Sequence, residues 1–231
     1  MNIKTSYVIA ACLSFSVLVG QAQLFQFSFS DSDSVDGDAT ESAVDLQPGN
    51  ATVSVISRGS GVSTGKFTPE SANTFTANNF VTTATLETTN EEYVSFTITP
   101  APGYELSLTR IEVDILQQRV APENFVWRSS NVDSFATDLH PPFNLAAPGA
   151  TADSGTVQTS SGQSADLDPS EFNGLSGSVE FRLYGWGALS TSGQRRAAID
   201  NLKVYGSVIP VSGTSSGTII MISMLPCLLS F

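Results

Sequence analysis

Hydrophobic residues in this chain recur at every second position over short stretches, and Gly, Pro, Asn and Ser separate the stretches. Leu24-Phe25-Gln26-Phe27-Ser28-Phe29 alternates cleanly, with Phe25, Phe27 and Phe29 on one face. Further strand signals follow at Thr52 to Ser57, Phe75 to Thr85, Tyr93 to Thr99, Tyr104 to Leu116 and Asn124 to Ser129. Their inward sets include Val94, Phe96 and Ile98, then Ile111, Val113 and Ile115; Trp127 alternates with Phe125 and reads as core. The most informative stretch is Val179 to Gly206, two closing strands joined by a polar loop. In Val179 to Trp186 the odd positions are apolar or small and the even ones carry charge or amphipathic rings, which predicts one buried face.

No sustained apolar stripe at helical spacing and no internal repeat of fixed period appears. From Ala146 to Asp168 the chain is rich in Gly, Ser, Thr and Ala, which predicts a long surface loop around one weak strand, Gly155 to Thr159. Many short strands of this kind predict an all-β fold: an antiparallel β-sandwich, jelly-roll-like, built as a single domain.

The ends of the chain read differently from its body. Lys4, the apolar run Tyr7 to Val19 and the small residues of Gly20-Gln21-Ala22 form a signal-peptide pattern over residues 1–22, with cleavage before Gln23. A competing lipoprotein box at Ile9-Ala10-Ala11-Cys12 leaves little room for an apolar run before its cysteine. The expected organisation is therefore a leader, a sandwich over 23–207, and a linker with a short apolar tail over 208–231. The two cysteines, Cys12 and Cys227, fall in the leader and the tail. The sandwich thus lacks thiolate chemistry and disulfides, and its about 185 residues must be stabilised by core burial.

Charge narrows the partners. Ten Lys and Arg stand against 22 Asp and Glu, a net of −12 that loss of Lys4 makes more negative still. Such a surface repels phosphate backbones and anionic lipid, so no nucleic acid is expected and membrane contact is expected only through leader or tail processing. Extracellular polysaccharide or other matrix components are the expected partners.

Several segments together carry a resemblance. Tyr93 to Pro100, Gly103 to Thr109, Trp127-Arg128-Ser129-Ser130 with Asp133-Ser134-Phe135, Phe181 to Trp186 and Ile199-Asp200-Asn201-Leu202 resemble, in order and spacing, the exported β-sandwich proteins of Gram-negative bacteria that carry a PEP-CTERM sorting tail. The resemblance implies a jelly-roll-like body carried to the cell surface or extracellular matrix by an exosortase. The tail departs from that pattern. Val208-Ile209-Pro210 opens like the sorting motif, but Val211-Ser212-Gly213 stands where Glu-Pro is expected, and no Arg or Lys closes the chain. The apolar run Thr218 to Phe231, roughly 14 residues, is about 21 Å long as a helix against a hydrocarbon core of roughly 30 Å. A frame slip after Pro210 and a GPI-type signal at Gly206-Ser207 are the alternative readings of this end.

Candidate chemistry is sparse. Asp31, Asp33, Asp36 and Asp38 crowd together after the first strand signal, and Asp200 lies in the last. If the first and last strands are neighbours, these carboxylates could share a structural Ca²⁺, which takes about six to eight oxygens, although the spacing is not an EF-hand. No cofactor is otherwise required. Tyr184 and Trp186 share a strand face with Arg182 and Glu180, which offers a platform for stacking on a carbohydrate ring or, alternatively, a half-buried cover for a loop or second sheet. The sole histidine, His140, cannot make a triad or a His-rich zinc site. A glycoside hydrolase needs only two carboxylates and the chain has many, but the long strands flag no matched pair; Glu112 and Asp114 share a strand face, and solvated charge explains them. Asn50-Ala51-Thr52 is a sequon that matters only in a eukaryotic secretory pathway. The sequence thus predicts no catalytic residue and favours a non-catalytic exported surface or matrix protein, with a carbohydrate-binding module holding calcium and a glycosidase as alternatives.

Overall fold

A computed structural model describes residues 22–29, 40–41, 44–65, 74–149, 151, 156–191 and 195–211. Asp31, Asp33, Asp36 and Asp38, the leader up to residue 21 and the tail from residue 212 lie outside the described residues. In chain order the strands are β1 (Ala22–Phe27), β2 (Thr40–Glu41), β3 (Ala51–Val53), β4 (Ile56–Arg58), β5 (Phe75–Ala77), β6 (Tyr93–Pro100), β7 (Tyr104–Arg119), β8 (Asn124–Ser129), β9 (Phe143–Asn144), β10 (Val157–Asp166), β11 (Val179–Trp186) and β12 (Arg195–Pro210). One short helix, α1 (Pro169–Phe172), is capped by Asp168, whose carboxylate accepts from the Ser170 backbone N–H.

Every ladder among the described residues is antiparallel, and the strands form two sheets. The first runs β1-β12-β7-β10, with β5 sharing an edge of β12; the second runs β2-β4-β6-β11-β8-β9, with β3 also on β6. This is the antiparallel sandwich that the alternation predicts. The apolar faces meet between the sheets. Phe25, Phe27, Ile111, Val113, Ile115, Ile199, Leu202 and Val204 from the first pack against Ile56, Phe96, Ile98, Trp127, Phe181 and Leu183 from the second. Trp127 is fully buried beside Phe96, as its alternation with Phe125 requires.

The first and last strands are neighbours: Ala22 lies opposite Gly206 and Phe27 opposite Leu202. Two stretches differ from the sequence reading. Phe75 to Thr85 is strand only as far as Ala77, after which the chain leaves the sheet. Within the expected surface loop Ala146 to Asp168, the weak strand expected at Gly155 to Thr159 is overlapped by a longer one, β10, paired with β7 from Val157↔Gln118 to Asp166↔Arg110 across a bulge at Ser160/Gln163. Its residues are small, polar and mostly exposed, so this edge strand is held by backbone bonds and carries little hydrophobic signal. The final strand continues through Val208-Ile209-Pro210, with Pro210 opposite Tyr104, so the residues that open like a sorting motif are paired in the sheet.

Candidate functional site

The expected carbohydrate platform on β11 is only partly where alternation put it. Val179, Phe181 and Leu183 enter the core, while Glu180 and Arg182 lie on the other face. Tyr184 and Trp186, on that same outer face, are 1% and 7% exposed. They form a second small core with Tyr93 and Val126, against which Val81 and Leu86 pack. Tyr184 meets Tyr93 edge-on at 5.1 Å. Both rings are therefore covered, and neither can stack on a sugar; the outer face of β11 is buried over its second half by the segment that connects β5 to β6.

Glu92 holds that cover in place. Its carboxylate accepts from the Val81 N–H at 2.7 Å and its carbonyl from the Gly185 N–H at 3.4 Å, while Ala188 N–H bonds back to the Val81 carbonyl at 2.9 Å. Burial pushes the Glu92 carboxyl above its ordinary range, opposed by the Val81 bond and by Arg195. The far end of the connection is a 3-10 turn, Thr88–Asn90, pinned by the loop after β4. Gly61 N–H donates to Glu91, and a Cβ on Gly61 would overlap the carbonyl oxygen of Asn90, so only glycine permits this approach.

Opposite this turn lies another, Asp133–Phe135, whose three residues have φ of 45°, 50° and 69°. Consecutive left-handed residues other than glycine are costly, and side chains hold these in place. Arg128 donates from Nε to Asp138 at 2.6 Å and from Nη1 to the Phe135 carbonyl at 3.0 Å. Thr137 donates to Asp133 at 2.7 Å. The Arg182 guanidinium sits 3.8 Å from the centre of the Phe135 ring and 4.4 Å from that of Tyr93. Its Nε donates to Glu180 at 2.7 Å. Desolvation works against the Arg182 charge, but bonding to Glu180 and Tyr184 outweighs it and holds the guanidinium firmly protonated.

Between the two turns is an open cleft of 280 Å³ lined by Thr88, Thr89, Ser134, Phe135, Ala136, Arg182 and Tyr184. Of its two aromatics, Phe135 is partly exposed, with Arg182 over one face of its ring, while Tyr184 is buried. Sequence alternation could not find Phe135, because it lies on a turn that only the fold brings over β11. A second cleft of 340 Å³ lies on the other side of the same turn, where Asp133, Asp138, Asp168 and Glu171 line it with Val132, Thr137, Leu139 and Phe172.

The remaining candidates are committed to structure. Asp200 lies opposite Asp114 across β12 and β7, and accepts from the Asn201 N–H at 2.6 Å. Burial raises its pKa, the Asn201 bond lowers it, and the Asp114 charge raises it further. Asp114 accepts from the Gly162 N–H at 2.7 Å and from the Asn201 amide at 3.0 Å; Glu112 accepts from Lys203 at 3.1 Å. Among the described residues no three His, Cys, Asp or Glu gather as a metal-binding group. His140 accepts at Nε2 from the Trp127 N–H, 3.0 Å, and lies with Nδ1 2.6 Å from the Pro141 carbonyl, an arrangement that suits the neutral ring protonated on Nδ1.

No protein-family model matches the chain, and no curated protein matches it. Among solved structures, it is similar to the K3 cleaved adhesin domain of Lys-gingipain from Porphyromonas gingivalis W83, at 16% identity over 58% of this chain and 75% of that one, with a TM-score of 0.35. The K1 cleaved adhesin domain of the same protein matches at 13% identity over 79% of this chain and 97% of that one, with a TM-score of 0.34. Likenesses this loose say nothing further about what the chain does.

Proposed function

We propose that this chain is an exported, non-catalytic β-sandwich that works by contact at the cell surface or in the extracellular matrix. The observation that carries the reading is how the reactive side chains are used. Both His140 nitrogens, Glu112, Asp114 and the Arg128–Asp138 pair are taken up by bonds that hold strands and turns together. An acid–base pair for glycoside cleavage needs carboxyl groups facing a substrate, and Glu112 and Asp114 instead face Lys203, Asn201 and the Gly162 backbone. Export rests on the leader pattern: cleavage before Gln23 would remove Ala22, the first residue of β1, and leave Gln23 to Phe27 to enter the sheet at once.

The test is expression of the full chain in a Gram-negative host, with fractionation and mass spectrometry of the N-terminus. Export predicts a chain beginning at Gln23 outside the cytoplasm; folded protein retained in the cytosol with Met1 intact would overturn it. Turnover of a polysaccharide panel by the purified protein would overturn the non-catalytic part.

A further inference from the structure

We infer that the cleft between the Thr88–Asn90 and Asp133–Phe135 turns binds one pyranose unit of a neutral polysaccharide. The inference rests on the surface role above only for where such a polymer would be met. At 280 Å³ the cleft lies just below the roughly 300–1,000 Å³ of drug-sized sites, which suits a single sugar ring within a longer chain. Phe135, partly exposed with the Arg182 guanidinium over one face of its ring, supplies apolar carbon on the cleft wall for the C–H face of the sugar. Thr88, Thr89 and Ser134, all exposed on the cleft wall, bring hydroxyls that both donate and accept, as sugar hydroxyls do.

Electrostatics selects an uncharged ligand. Among the described residues Arg182 is the one cation lining the cleft, and Glu180 already neutralises it at 2.7 Å. A carboxylated or sulfated sugar would have to compete with that carboxylate, while a neutral one leaves the pair intact. The turn is also held in a costly conformation. Three successive non-glycine residues are left-handed, and Arg128 and Arg182 brace the turn so that Ser134 and Phe135 stay at the cleft.

The experiment is titration calorimetry of the purified mature chain with neutral gluco-, manno- and galacto-oligosaccharides, with dextran sulfate as the charged control. Wild type is expected to bind at least one neutral series and not the sulfated polymer. Phe135→Ala should weaken binding about tenfold, and Thr89→Val about threefold. Thr89 is exposed, so its variant keeps the test decisive if Phe135→Ala fails to fold; melting curves establish which case holds. Binding to dextran sulfate alone, to none of the sugars, or undiminished in the folded variants would overturn the proposal. Because the mature chain is produced directly, a failure of export leaves this readout unchanged.

Discussion

At the scale of single residues, burial and pairing decide which groups respond to pH. Desolvation lowers the His140 pKa below 6.5, while its Pro141 bond and Asp138 pull the other way. A histidine depressed by folding takes up its proton more readily in the unfolded chain. Its contribution is therefore complete above pH 6.5 and is lost as pH falls through the folded value. His140→Ala should cost about 1–3 kcal/mol at pH 8, since the Trp127 N–H loses its acceptor, and should flatten that acid-side decline in denaturant melts followed across pH. Asp200 has the opposite sign. Its pKa is raised, so its favourable contribution is present below pH 3.8 and lost as pH rises through the folded value. Asp200→Asn keeps an acceptor for the Asn201 N–H and removes the repulsion from Asp114. It should stabilise by about 0.2–1 kcal/mol at pH 7, with the gain fading in acid. The same variant tests calcium: a melting temperature raised by Ca²⁺ in wild type and not in Asp200→Asn would place a cation at this position, whereas equal melting in Ca²⁺ and chelator would leave only the bare repulsive pair.

At the scale of elements, period-two alternation is legible wherever one face meets the core and the other lies towards solvent, as in β1, the second half of β6 and the first half of β11. It failed where a non-local segment covered the second face. In sequence Tyr184 and Trp186 read either as a platform or as cover for a loop or second sheet, because nothing local says that Val81 and Leu86 will lie over them; the structure gives the second. β10 is legible only at its start, as the weak strand expected at Gly155 to Thr159, for the converse reason: an edge strand of Gln, Thr, Ser and Gly is specified by its partner's backbone and not by its own hydrophobicity. The cleft followed the same rule. Arg182 and Glu180 were legible on the strand face, whereas Phe135 reaches them only through a strained turn that no hydrophobic period encodes. That strain has a measurable consequence. Ser134→Gly removes the left-handed penalty at φ 50° while adding freedom to the unfolded chain, for a net stabilisation of about 0.5–1 kcal/mol. A denaturant midpoint that stays the same or falls would mean that the turn is not under strain.

At the scale of the whole molecule, the sandwich is closed by its ends. β1 and β12 lie together although nearly the entire described chain separates them in sequence, and neither cysteine lies among the described residues to staple that contact. Closure depends on burial: Phe25, Phe27 and Phe29 are almost fully enclosed, and Phe27 and Phe29 stack at 6.1 Å. Contacts between distant parts of a chain must overcome loop-closure entropy before they contribute, so a fold of this kind should form slowly, in milliseconds to seconds or longer. If β1 docks last, Phe27→Ala should cost about 3–5 kcal/mol at equilibrium and act mainly by speeding unfolding, leaving the folding limb of the chevron nearly unchanged. Such late docking would also suit an exported chain, because an N-terminal strand that joins the sheet last leaves its segment extended and accessible while the leader is being removed. Stopped-flow refolding of Phe27→Ala beside Phe181→Leu, a truncation in the centre of the second sheet, separates the cases. A Phe27 variant that slows folding as much as it accelerates unfolding would place the end strands in the nucleus and remove this link between folding order and export.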